Sequence, residues 1–385
     1  MKLIARTFAG LEEILEKELI SIGAKDTILR KRAVEFHGNQ EMMYKVNFWS
    51  RLALDILTPI HRFEARSPEE LYDKVKEVEW SKYLSPESTF AINGIIYSSH
   101  FTHSQFATLK MKDAIVDQIR DNTGDRPDVD TYTPDLRITL RISEHKCEIL
   151  LNSSGAPLFK RGYRKSIGLA PLNEVLAAGL IALSDWDKKK PFIDPMCGSG
   201  TIPIEAAMVA RNMAPGLVRN EFGFQKWHNY DRDLYEKVYA DAEKAMVESR
   251  VLIKGYDIDF DMVKSAKFNL RNVPEISRMV QIEKQDFFTS EKPFNKVHII
   301  CNPPYDKRIE LIDAETFYDK IGTQLKHKFV DCDAFILSSN LDAIKRISLK
   351  PTKKHTLYNG PDESKFIHFQ MYQGKKSEFN ARTRD

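Results

Sequence analysis

Cysteines are few in this sequence, and long apolar runs are missing from it. Its four cysteines lie far apart and form no C-x-x-C pair, which argues against a disulfide framework and against a zinc knuckle. No apolar run approaches the ~20 residues that span a bilayer, and the first residues carry no secretory pattern. We therefore expect a cytoplasmic protein that has no metal centre and no membrane partner.

An excess of charge of one sign is also missing. The sequence has 58 Lys and Arg against 55 Asp and Glu, a net charge of +3, so binding to nucleic acid would require a local basic patch. The patch that we favour comprises Lys160, Arg161, Arg164 and Lys165, because it lies at a predicted domain junction. The hydrophobic share of 42% is typical of a globular protein with proper cores, and 385 residues suit two or three domains.

The order of strands and helices changes near the end of that patch. Before it, short strands and helices, among them a helix over 40–57, alternate in small α+β patterns that contain no catalytic cluster. After it, strand–helix units repeat, which predicts an open, mostly parallel, twisted sheet covered by helices. The predicted organisation is two small modules at 1–62 and 63–153, a basic linker at 154–165, an α/β domain at 166–375 and a flexible tail at 376–385.

A glycine turn, DPMCGSGT, follows the first strand of the α/β domain. Glycines let the backbone approach a ligand, and such sheets bind ligands at a turn between strand and helix. Pro203 stands where the dinucleotide fingerprint has its third glycine, and Asp194 would repel a pyrophosphate but suits a cationic ligand with an amino-acid part. The predicted ligand contacts of this motif are Asp194, Cys197, Gly198, Ser199, Gly200 and Thr201.

Carboxylates follow the next two strands as well. Asp257, beside Ile258, is placed to accept hydrogen bonds from the two ribose hydroxyls of an adenosine. The stretch 212–250 separates it from the glycine turn by more than the usual ~20 residues, and we interpret that stretch as an insertion. Asp286 is placed to accept a hydrogen bond from an adenine amino group while an aromatic neighbour such as Phe287 covers the ring. Asp259 is expected to cap a helix.

Asn302-Pro303-Pro304-Tyr305 follows an apolar strand and is the most specific pattern in the chain. The prolines remove two backbone donors and leave carbonyl groups free to accept. The Asn302 side-chain oxygen and the Pro303 carbonyl can then accept both hydrogens of one planar NH2 group, which turns its lone pair toward an electrophile. Tyr305 offers a face on which a base can stack. These four residues are the predicted catalytic residues.

Together the four motifs resemble those of class I S-adenosylmethionine-dependent methyltransferases that act on amino nitrogens. Nearly the whole chain resembles the THUMP-domain RNA methyltransferases, in particular the guanine-N2 module of bacterial RlmL and its stand-alone relatives. The closer resemblance rests on DPMCGSGTIPIEAA, on NPPY, on MAPG at 213–216, on the junction FKRGYRK, and on the order of the modules. Asp306 departs from the pattern, because the family commonly has glycine there.

This resemblance implies a fold, a cofactor and a partner. It implies a ferredoxin-like module at 1–62, a THUMP RNA-binding module at 63–153 and a Rossmann-like methyltransferase domain at 166–375. The implied cofactor is S-adenosylmethionine without a metal, and the implied partner is structured RNA, in particular ribosomal RNA. The implied target is N2 of a guanosine in large-subunit ribosomal RNA. We also expect residues 1–153 to bind RNA without the catalytic domain.

Other activities stay open at this point. The Asn-Pro-Pro-Tyr motif suits any planar NH2 group, so adenine-N6 methylation of RNA or DNA and methylation of a glutamine amide are alternatives. Cys301 would be the nucleophile of a pyrimidine-C5 methyltransferase, although its place at the end of a buried strand favours a core role. A catalytically inactive RNA-binding protein is the alternative of another class, and the three carboxylates and Asn302 argue against it.

Overall fold

The computed structural model describes residues 1–166, 171–304, 314–360 and 362–372. Tyr305, Asp306 and the predicted tail lie outside the described residues. The helices are α1 (Glu12–Ile22), α2 (Gln40–Trp49), α3 (Pro68–Lys76), α4 (Ser104–Thr123), α5 (Glu174–Leu183), α6 (Thr201–Ala210), α7 (Arg232–Lys244), α8 (Phe260–Arg271) and α9 (Ala314–Lys328).

The strands belong to two sheets. They are β1 (Lys2–Arg6), β2 (Lys25–Arg30), β3 (Ala33–His37), β4 (Asp55–Glu64), β5 (Thr89–Tyr97), β6 (Asp128–Val129), β7 (Leu136–Ser143), β8 (Lys146–Asn152), β9 (Phe192–Asp194), β10 (Ile253–Asp257), β11 (Val280–Lys284), β12 (His298–Cys301), β13 (Asp333–Ser338), β14 (Lys353–Asn359) and β15 (Asp362–Gln370). The chain divides into two compact units. The first comprises Met1–Thr7, Glu16–Leu158 and Arg219–Asp241, and the second comprises Phe8–Leu15, Phe159–Val218 and the described residues from Ala242 onward.

The first unit is built on one eight-stranded sheet in the order β2-β3-β1-β4-β8-β7-β5-β6. The long strand β4 connects the two predicted N-terminal modules, since Ile56 and Leu57 pair with β1 and residues 57–64 pair with β8. A register shift between Pro59 and His61 lets the proline stay inside the strand. The predicted boundary at 62/63 therefore falls within a continuous strand.

The predicted helix over 40–57 ends much earlier, at Trp49. The Glu18 carboxylate accepts hydrogen bonds from the Ser50 hydroxyl at 2.6 Å, from Arg51 N at 2.9 Å and from Leu52 N at 3.2 Å. These bonds hold backbone donors that a continuing helix would use. The helical spacing of apolar residues continues past this point, but the chain turns here and starts β4 at Asp55.

The segment 219–241 lies inside the predicted α/β domain but belongs to the first unit. Tyr44 stacks on Phe224 with ring centroids 4.1 Å apart, and Phe48 packs on Phe222 at 5.7 Å. Phe222 and Phe224 are each 1% exposed, so both rings belong to the core of this unit. The central part of the predicted insertion 212–250 is therefore part of the N-terminal fold, whereas both of its ends belong to the second unit.

Backbone contacts hold the same segment in place. A Cβ on Gly223 would lie 2.6 Å from the backbone nitrogen of Gly155. Both glycines are therefore needed for these two backbone segments to approach each other. The Arg219 guanidinium donates to the carbonyls of Ser154, Ala156 and Pro157 at 3.0, 2.6 and 3.0 Å. A fragment of residues 1–153 lacks the segment 219–241. We therefore expect the N-terminal domains to bind RNA by themselves only when this segment is included.

We expect Phe224→Ala to lower the free energy of unfolding of the first unit by about 3–5 kcal/mol, the usual cost of removing a buried phenylalanine side chain. Urea denaturation of the full chain measures it. The matched control is Tyr132→Ala, which removes a ring that is 87% exposed and should change stability by about 0.5 kcal/mol or less. Equal losses in the two variants would show that the segment 219–241 does not contribute to this core.

The described strands of the second unit form one seven-stranded sheet in the order β11-β10-β9-β12-β13-β15-β14. β9 to β13 run parallel, and β15 pairs antiparallel with β13 and β14. This is the predicted mostly parallel sheet. β10 lies on one side of β9 and β12 on the other, so the strand order reverses there. Sheets of this kind bind ligands at the carboxyl ends of the strands at such a reversal.

Buried strands and apolar helices explain why these residues form this unit. The strand β12 is buried over its whole length, as expected for a parallel strand covered by helices on both faces. The helix α6 is buried at nine of its ten residues, including a charged one, Glu205. Among the described residues no helix is both long enough and apolar enough to cross a membrane.

Candidate active site

Four strand ends of the second unit meet at one cavity of about 520 Å³. Asp194 ends β9 and Asp257 ends β10, while Asp286 follows β11 and Asn302 follows β12. All four side chains line the cavity, together with the predicted residues Cys197, Gly198, Ser199, Thr201, Ile258, Phe287 and Pro304. The volume lies within the ~300–1,000 Å³ that is usual for small-molecule sites. The structure therefore brings the four sequence motifs together.

Asp257 holds the glycine turn in place. Its Oδ2 accepts a hydrogen bond from Gly198 N at 2.8 Å, and its Oδ1 accepts one from Asp259 N at 2.9 Å. Cys197 N also donates to the carbonyl of Tyr256 at 2.7 Å. Each carboxylate oxygen keeps a second lone pair with which it can accept from a ligand hydroxyl.

Gly200 does not line the cavity but starts the helix beneath it. Its φ of +86° is the left-handed conformation, and a Cβ there would lie 3.0 Å from the Cβ of Ala266 on α8. A larger residue would therefore strain the turn and push α6 and α8 apart. This geometry assigns Gly200 to the shape of the turn, and the ligand contact that the sequence predicts for it stays a prediction.

The cavity is acidic. Asp194 is 1% exposed, and burial raises its pKa well above the ordinary value, with a further contribution from the charge of Asp257. Burial also raises the pKa of Asp257. The described residues that line the cavity include no Lys, Arg or His. A positive charge on a ligand would offset the cost of ionising these groups, whereas a pyrophosphate would be repelled.

Aromatic side chains close another wall. Asp286 Oδ1 accepts from Phe288 N at 2.9 Å, which leaves its other oxygen for a ligand. Phe287 is 4% exposed and packs on Phe329 at 5.4 Å. Phe288 and Phe317 meet edge to face at 5.3 Å, and both line the cavity. The sequence pattern singled out only Phe287, because Phe317 comes from α9, far along the chain.

Three residues of the Asn-Pro-Pro-Tyr motif are described. Asn302 and Pro304 line the cavity, and Pro303 is buried behind them. Tyr305, predicted to stack on a base, lies outside the described residues. The motif therefore forms the end of the cavity that lies next to Asp194 across neighbouring strands.

The cysteines near the cavity are poor nucleophiles. Cys301 is 1% exposed and Cys197 is 7% exposed. Burial raises the pKa of both thiols well above the ordinary value, and the charges of Asp194 and Asp257 raise it further. Because the thiolate is the reactive form, this geometry favours the core role for Cys301 over the role in pyrimidine-C5 methylation.

The basic patch at the junction differs from the prediction. The Arg161 side chain is 1% exposed and pairs at 3.4 Å with Glu205, which is fully buried. The Arg164 side chain is 13% exposed and pairs at 3.0 Å with Glu174. The structure thus contradicts a phosphate-binding role for these two guanidinium groups, because both are directed into the protein. Lys160 and Lys165 are exposed, and their contact with RNA stays a prediction.

The fold and the site together define a class. A mostly parallel sheet whose first strand leads into a glycine turn, with carboxylates at the next strand ends, is the class I methyltransferase arrangement, and S-adenosylmethionine is the cofactor of this class. Within the described part of the chain, no group of three His, Cys, Asp or Glu side chains is placed to hold a metal ion.

Comparison with known families narrows the class. Residues 161–366 match the RMKL-like methyltransferase domain, residues 65–152 match the THUMP domain, and residues 2–57 match the RlmL ferredoxin-like domain. The chain belongs to the family of RMKL-like methyltransferases with these N-terminal domains.

Two curated relatives illustrate the range of this family. A candidate RNA methyltransferase of Synechocystis sp. is 35% identical over 365 residues, which cover 94% of this chain and 95% of that protein. The ribosomal RNA large subunit methyltransferase K/L of Cellvibrio japonicus is 34% identical over 94% of this chain. The chain spans about half the length of the K/L enzyme, since the match covers 50% of it.

Two solved structures share the whole fold. A candidate methyltransferase, SMU.472, in complex with S-adenosylhomocysteine has a TM-score of 0.86 and 30% identity, over 97% of this chain and 99% of that one. A protein of Listeria monocytogenes described as a predicted N6-adenine-specific DNA methylase has a TM-score of 0.84 and 28% identity, over 97% of this chain and 96% of that one.

The residues of the cavity fit the cofactor of the class. S-adenosylmethionine carries a sulfonium and an ammonium group, and the lining offers buried carboxylates without a described basic side chain. It also carries an adenosine, for which the lining offers Ile258, 64% exposed, and the Phe288 ring. Charge and polarity therefore agree between this ligand and the site.

The raised pKa values of Asp194 and Asp257 generate a pH prediction. Both groups must be ionised to attract a cation, and a raised pKa means that they take up protons at a higher pH than usual. The affinity for S-adenosylmethionine should therefore fall as the pH is lowered, and the fall should begin at a higher pH than that at which an ordinary Asp, with a pKa of about 3.9, takes up its proton. Isothermal titration calorimetry at several pH values measures it.

The matched variants for this measurement are Asp194→Asn and Asp261→Asn. Asp194→Asn should bind more weakly at every pH and show a flatter pH dependence. The side chain of Asp261 is 80% exposed, so Asp261→Asn should behave as the wild type. An Asp194→Asn variant with the full pH dependence would show that this carboxylate does not face the cation.

Proposed function

We propose that this protein transfers a methyl group from S-adenosylmethionine to an exocyclic amino nitrogen in structured RNA, and that the target is N2 of a guanosine in large-subunit ribosomal RNA. The observation that carries the proposal is the shared cavity. Asn302 and Pro304 line the same 520 Å³ space as Asp194, Asp257 and Asp286. The proposal therefore uses Asn302, which lines the cavity that suits a cationic methyl donor, as one acceptor for an NH2 group, and it assigns the second acceptor to the carbonyl of the buried Pro303.

Each part of the cavity has a role in this proposal. The backbone of the turn 198–201 and Asp194 hold the amino-acid part of the cofactor, Asp257 accepts from the ribose hydroxyls, and Asp286 accepts from the adenine amino group. Ile258 and the neighbouring phenylalanine rings cover the faces of the adenine. S-adenosylmethionine, when bound, supplies an electrophilic methyl group. The domain that does this is proposed to cover 166–375, apart from the segment 219–241.

Asn302 and Pro303 position the target nitrogen. The lone pair of an exocyclic amine is delocalised into its ring, so the nitrogen is a poor nucleophile. Hydrogen bonds from both of its protons to Asn302 Oδ1 and to the Pro303 carbonyl favour the pyramidal form and stabilise the positive charge that develops on the nitrogen. Catalysis here is mainly orientation. A flipped base loses a few kcal/mol of stacking, and the proposal assigns the stacking that offsets part of this loss to Tyr305.

RNA as the substrate is supported by the N-terminal domains and by the names of relatives. The THUMP match covers residues 65–152, and the K/L relatives are named as large-subunit ribosomal RNA methyltransferases. Guanine N2 is the finer part of the proposal and rests on the family resemblance. Adenine N6 is the alternative, since the motif suits either amino group and one structural relative is described as an N6-adenine-specific DNA methylase.

We expect Asn302→Ala to reduce turnover by at least a hundredfold, because it removes an acceptor needed in the transition state. Its affinity for S-adenosylhomocysteine should change by less than about threefold, since Asn302 is assigned to the target base. Asp257→Ala should instead weaken cofactor binding by about tenfold or more, the equivalent of the lost hydrogen bonds. Methyl transfer to RNA and calorimetry give the two measurements.

The substitution Cys301→Ser separates this mechanism from the nucleophilic one. It should keep most of the activity, because Cys301 is a buried core residue. A covalent adduct between the protein and RNA that disappears in Cys301→Ser would instead establish the pyrimidine-C5 mechanism.

The product nucleoside tests the target. Ribosomal RNA from a strain that lacks the gene is incubated with the protein and labelled S-adenosylmethionine, digested to nucleosides and analysed by mass spectrometry. N2-methylguanosine is expected. N6-methyladenosine would establish the alternative, and transfer to DNA but not to RNA would contradict the proposed substrate class.

A further inference from the structure

The junction segment, residues 160–166, is tied to residues that line the cavity. Arg164 Nη2 donates to the carbonyl of Leu172 at 2.8 Å and to the hydroxyl of Thr201 at 2.7 Å. Leu172 and Thr201 both line the cavity. The Glu174 carboxylate lies 3.0 Å from Arg164 Nε, and the Arg164 side chain is 13% exposed.

A second connection runs through Asn269 on α8, which is fully buried. Its Oδ1 accepts from Lys165 N at 3.0 Å and from Ser166 N at 2.9 Å. Its Nδ2 donates to the carbonyl of Ser166 at 2.9 Å and to the carbonyl of Ser199 at 3.1 Å. Ser199 lies in the glycine turn and lines the cavity. One amide therefore joins the junction segment to the turn.

The side chain of Asn269 differs from that of an ordinary core residue because its hydrogen bonds are made to backbone groups. Four hydrogen bonds of Asn269 use its acceptor and both of its donor hydrogens, and every partner is a backbone group. Backbone partners fix the direction of peptide groups, so these bonds determine how the turn presents its N–H groups and carbonyls to a ligand. Binding sites whose supporting groups are locked in this way lose less entropy when the ligand binds.

We propose that Arg164 and Asn269 are positioning residues that hold the Gly198–Thr201 turn in the conformation that binds the cofactor. Neither is in the described lining of the cavity, so each acts through the residues that it holds. The inference rests on the cofactor site of the proposed function. It assigns the charge of Arg164 to cofactor binding, in place of the contact with RNA that the basic run suggests.

The test uses substitutions that change the bonds but keep the size of the side chain. Asn269→Asp keeps the acceptor for Lys165 N and Ser166 N, but it removes the donor to Ser199 and sets a carboxylate against two carbonyls. Arg164→Lys keeps the charge beside Glu174, but a single ammonium does not reproduce the planar set of donors of a guanidinium. Each variant should raise the dissociation constant of S-adenosylhomocysteine by about tenfold, the equivalent of one charged or buried hydrogen bond.

Two control variants separate positioning from a general loss of stability. Lys165→Ala removes an exposed side chain from the same segment and leaves the backbone bond to Asn269 intact, so its affinity should equal that of the wild type. Ile367→Val trims a buried core residue of the second unit that is not among the described residues lining the cavity and should cost about 0.5–1.5 kcal/mol of stability. The dissociation constant of Ile367→Val for S-adenosylhomocysteine should equal that of the wild type, even where its melting temperature falls as much as that of Asn269→Asp or Arg164→Lys.

The outcomes distinguish a failure of the positioning role from a failure of the proposed cofactor site. Calorimetry of the full-length variants with S-adenosylhomocysteine gives the dissociation constants, and Asp257→Ala serves as the reference for the site itself. If Asp257→Ala weakens binding while Asn269→Asp and Arg164→Lys bind as the wild type, the positioning role is overturned and the proposed site stands. If the wild type does not bind S-adenosylhomocysteine, or Asp257→Ala binds normally, the proposed cofactor site itself is wrong.

A paired substitution covers the case in which Asn269→Asp or Arg164→Lys does not fold. Arg164→Met combined with Glu174→Leu removes both charges together, and replacing a buried ion pair by apolar residues of similar volume is often neutral for stability. This double variant should fold and still bind S-adenosylhomocysteine about tenfold more weakly, because Leu172 and Thr201 lose their common donor. Wild-type affinity in a folded double variant would overturn the role of Arg164.

Discussion

The carboxylate of Asp257 is the group on which the geometry of the catalytic unit depends most. It stands at the end of β10 and accepts a hydrogen bond from Gly198 N at 2.8 Å, in the turn that follows the neighbouring strand β9. The bond fixes the distance between two strand ends that a ligand must bridge. It also orients the start of α6, because the turn and the helix are continuous. The positions of Ser199 and Thr201, and through them the bonds from Asn269 and Arg164, follow from this arrangement.

The described lining buries carboxylates and contains no basic side chain, which has a consequence for the choice of ligand. Burial raises the pKa of Asp194 and of Asp257, which means that ionising them costs free energy until a positive charge arrives. The attraction between a cationic ligand and these carboxylates offsets that cost. S-adenosylmethionine has two positive charges, whereas its product has lost the sulfonium charge. The carboxylates of the lining therefore suit a ligand that carries a sulfonium or an ammonium group.

Much of this site was predictable from the sequence because parallel sheets repeat a simple rule. Strands that alternate with helices run in the same direction, so Asp194, Asp257, Asp286 and Asn302 had to meet at one edge. Residues outside that rule were missed. Phe317 reaches the cavity from α9, and Asn269 lies on an amphipathic helix where a polar residue normally faces solvent. The end of α2 was missed as well, because Glu18, which captures the backbone after Trp49, is distant in sequence.

The segment 219–241 shows a different limit of sequence analysis. Its aromatic residues follow no helical or strand period of their own, and the longer than usual separation of Asp257 from the glycine turn marks it only as an insertion. What determines its place is complementarity to partners far away in sequence, such as Tyr44, which stacks on Phe224, and Gly155, whose missing side chain admits Gly223. Contacts of this kind depend on the complementary shapes of the two folded surfaces, and those shapes cannot be read from either sequence segment alone.

The sequence does indicate that Arg161 and Arg164 form internal ion pairs. The indication lies in the helices α5 and α6 rather than in the basic run. Glu205 is the lone charge within the apolar helix α6, and Glu174 opens the equally apolar α5. A carboxylate that must be buried with its helix needs a cationic or hydrogen-bonding partner, because leaving it unpaired costs several kcal/mol. Arg164, which precedes α5 by ten residues, supplies that partner to Glu174 at 3.0 Å, and Arg161, which lies farther from α6 in the chain, supplies it to Glu205 at 3.4 Å. A basic run beside apolar helices that each contain one acid therefore indicates internal ion pairs before it indicates a surface for nucleic acid.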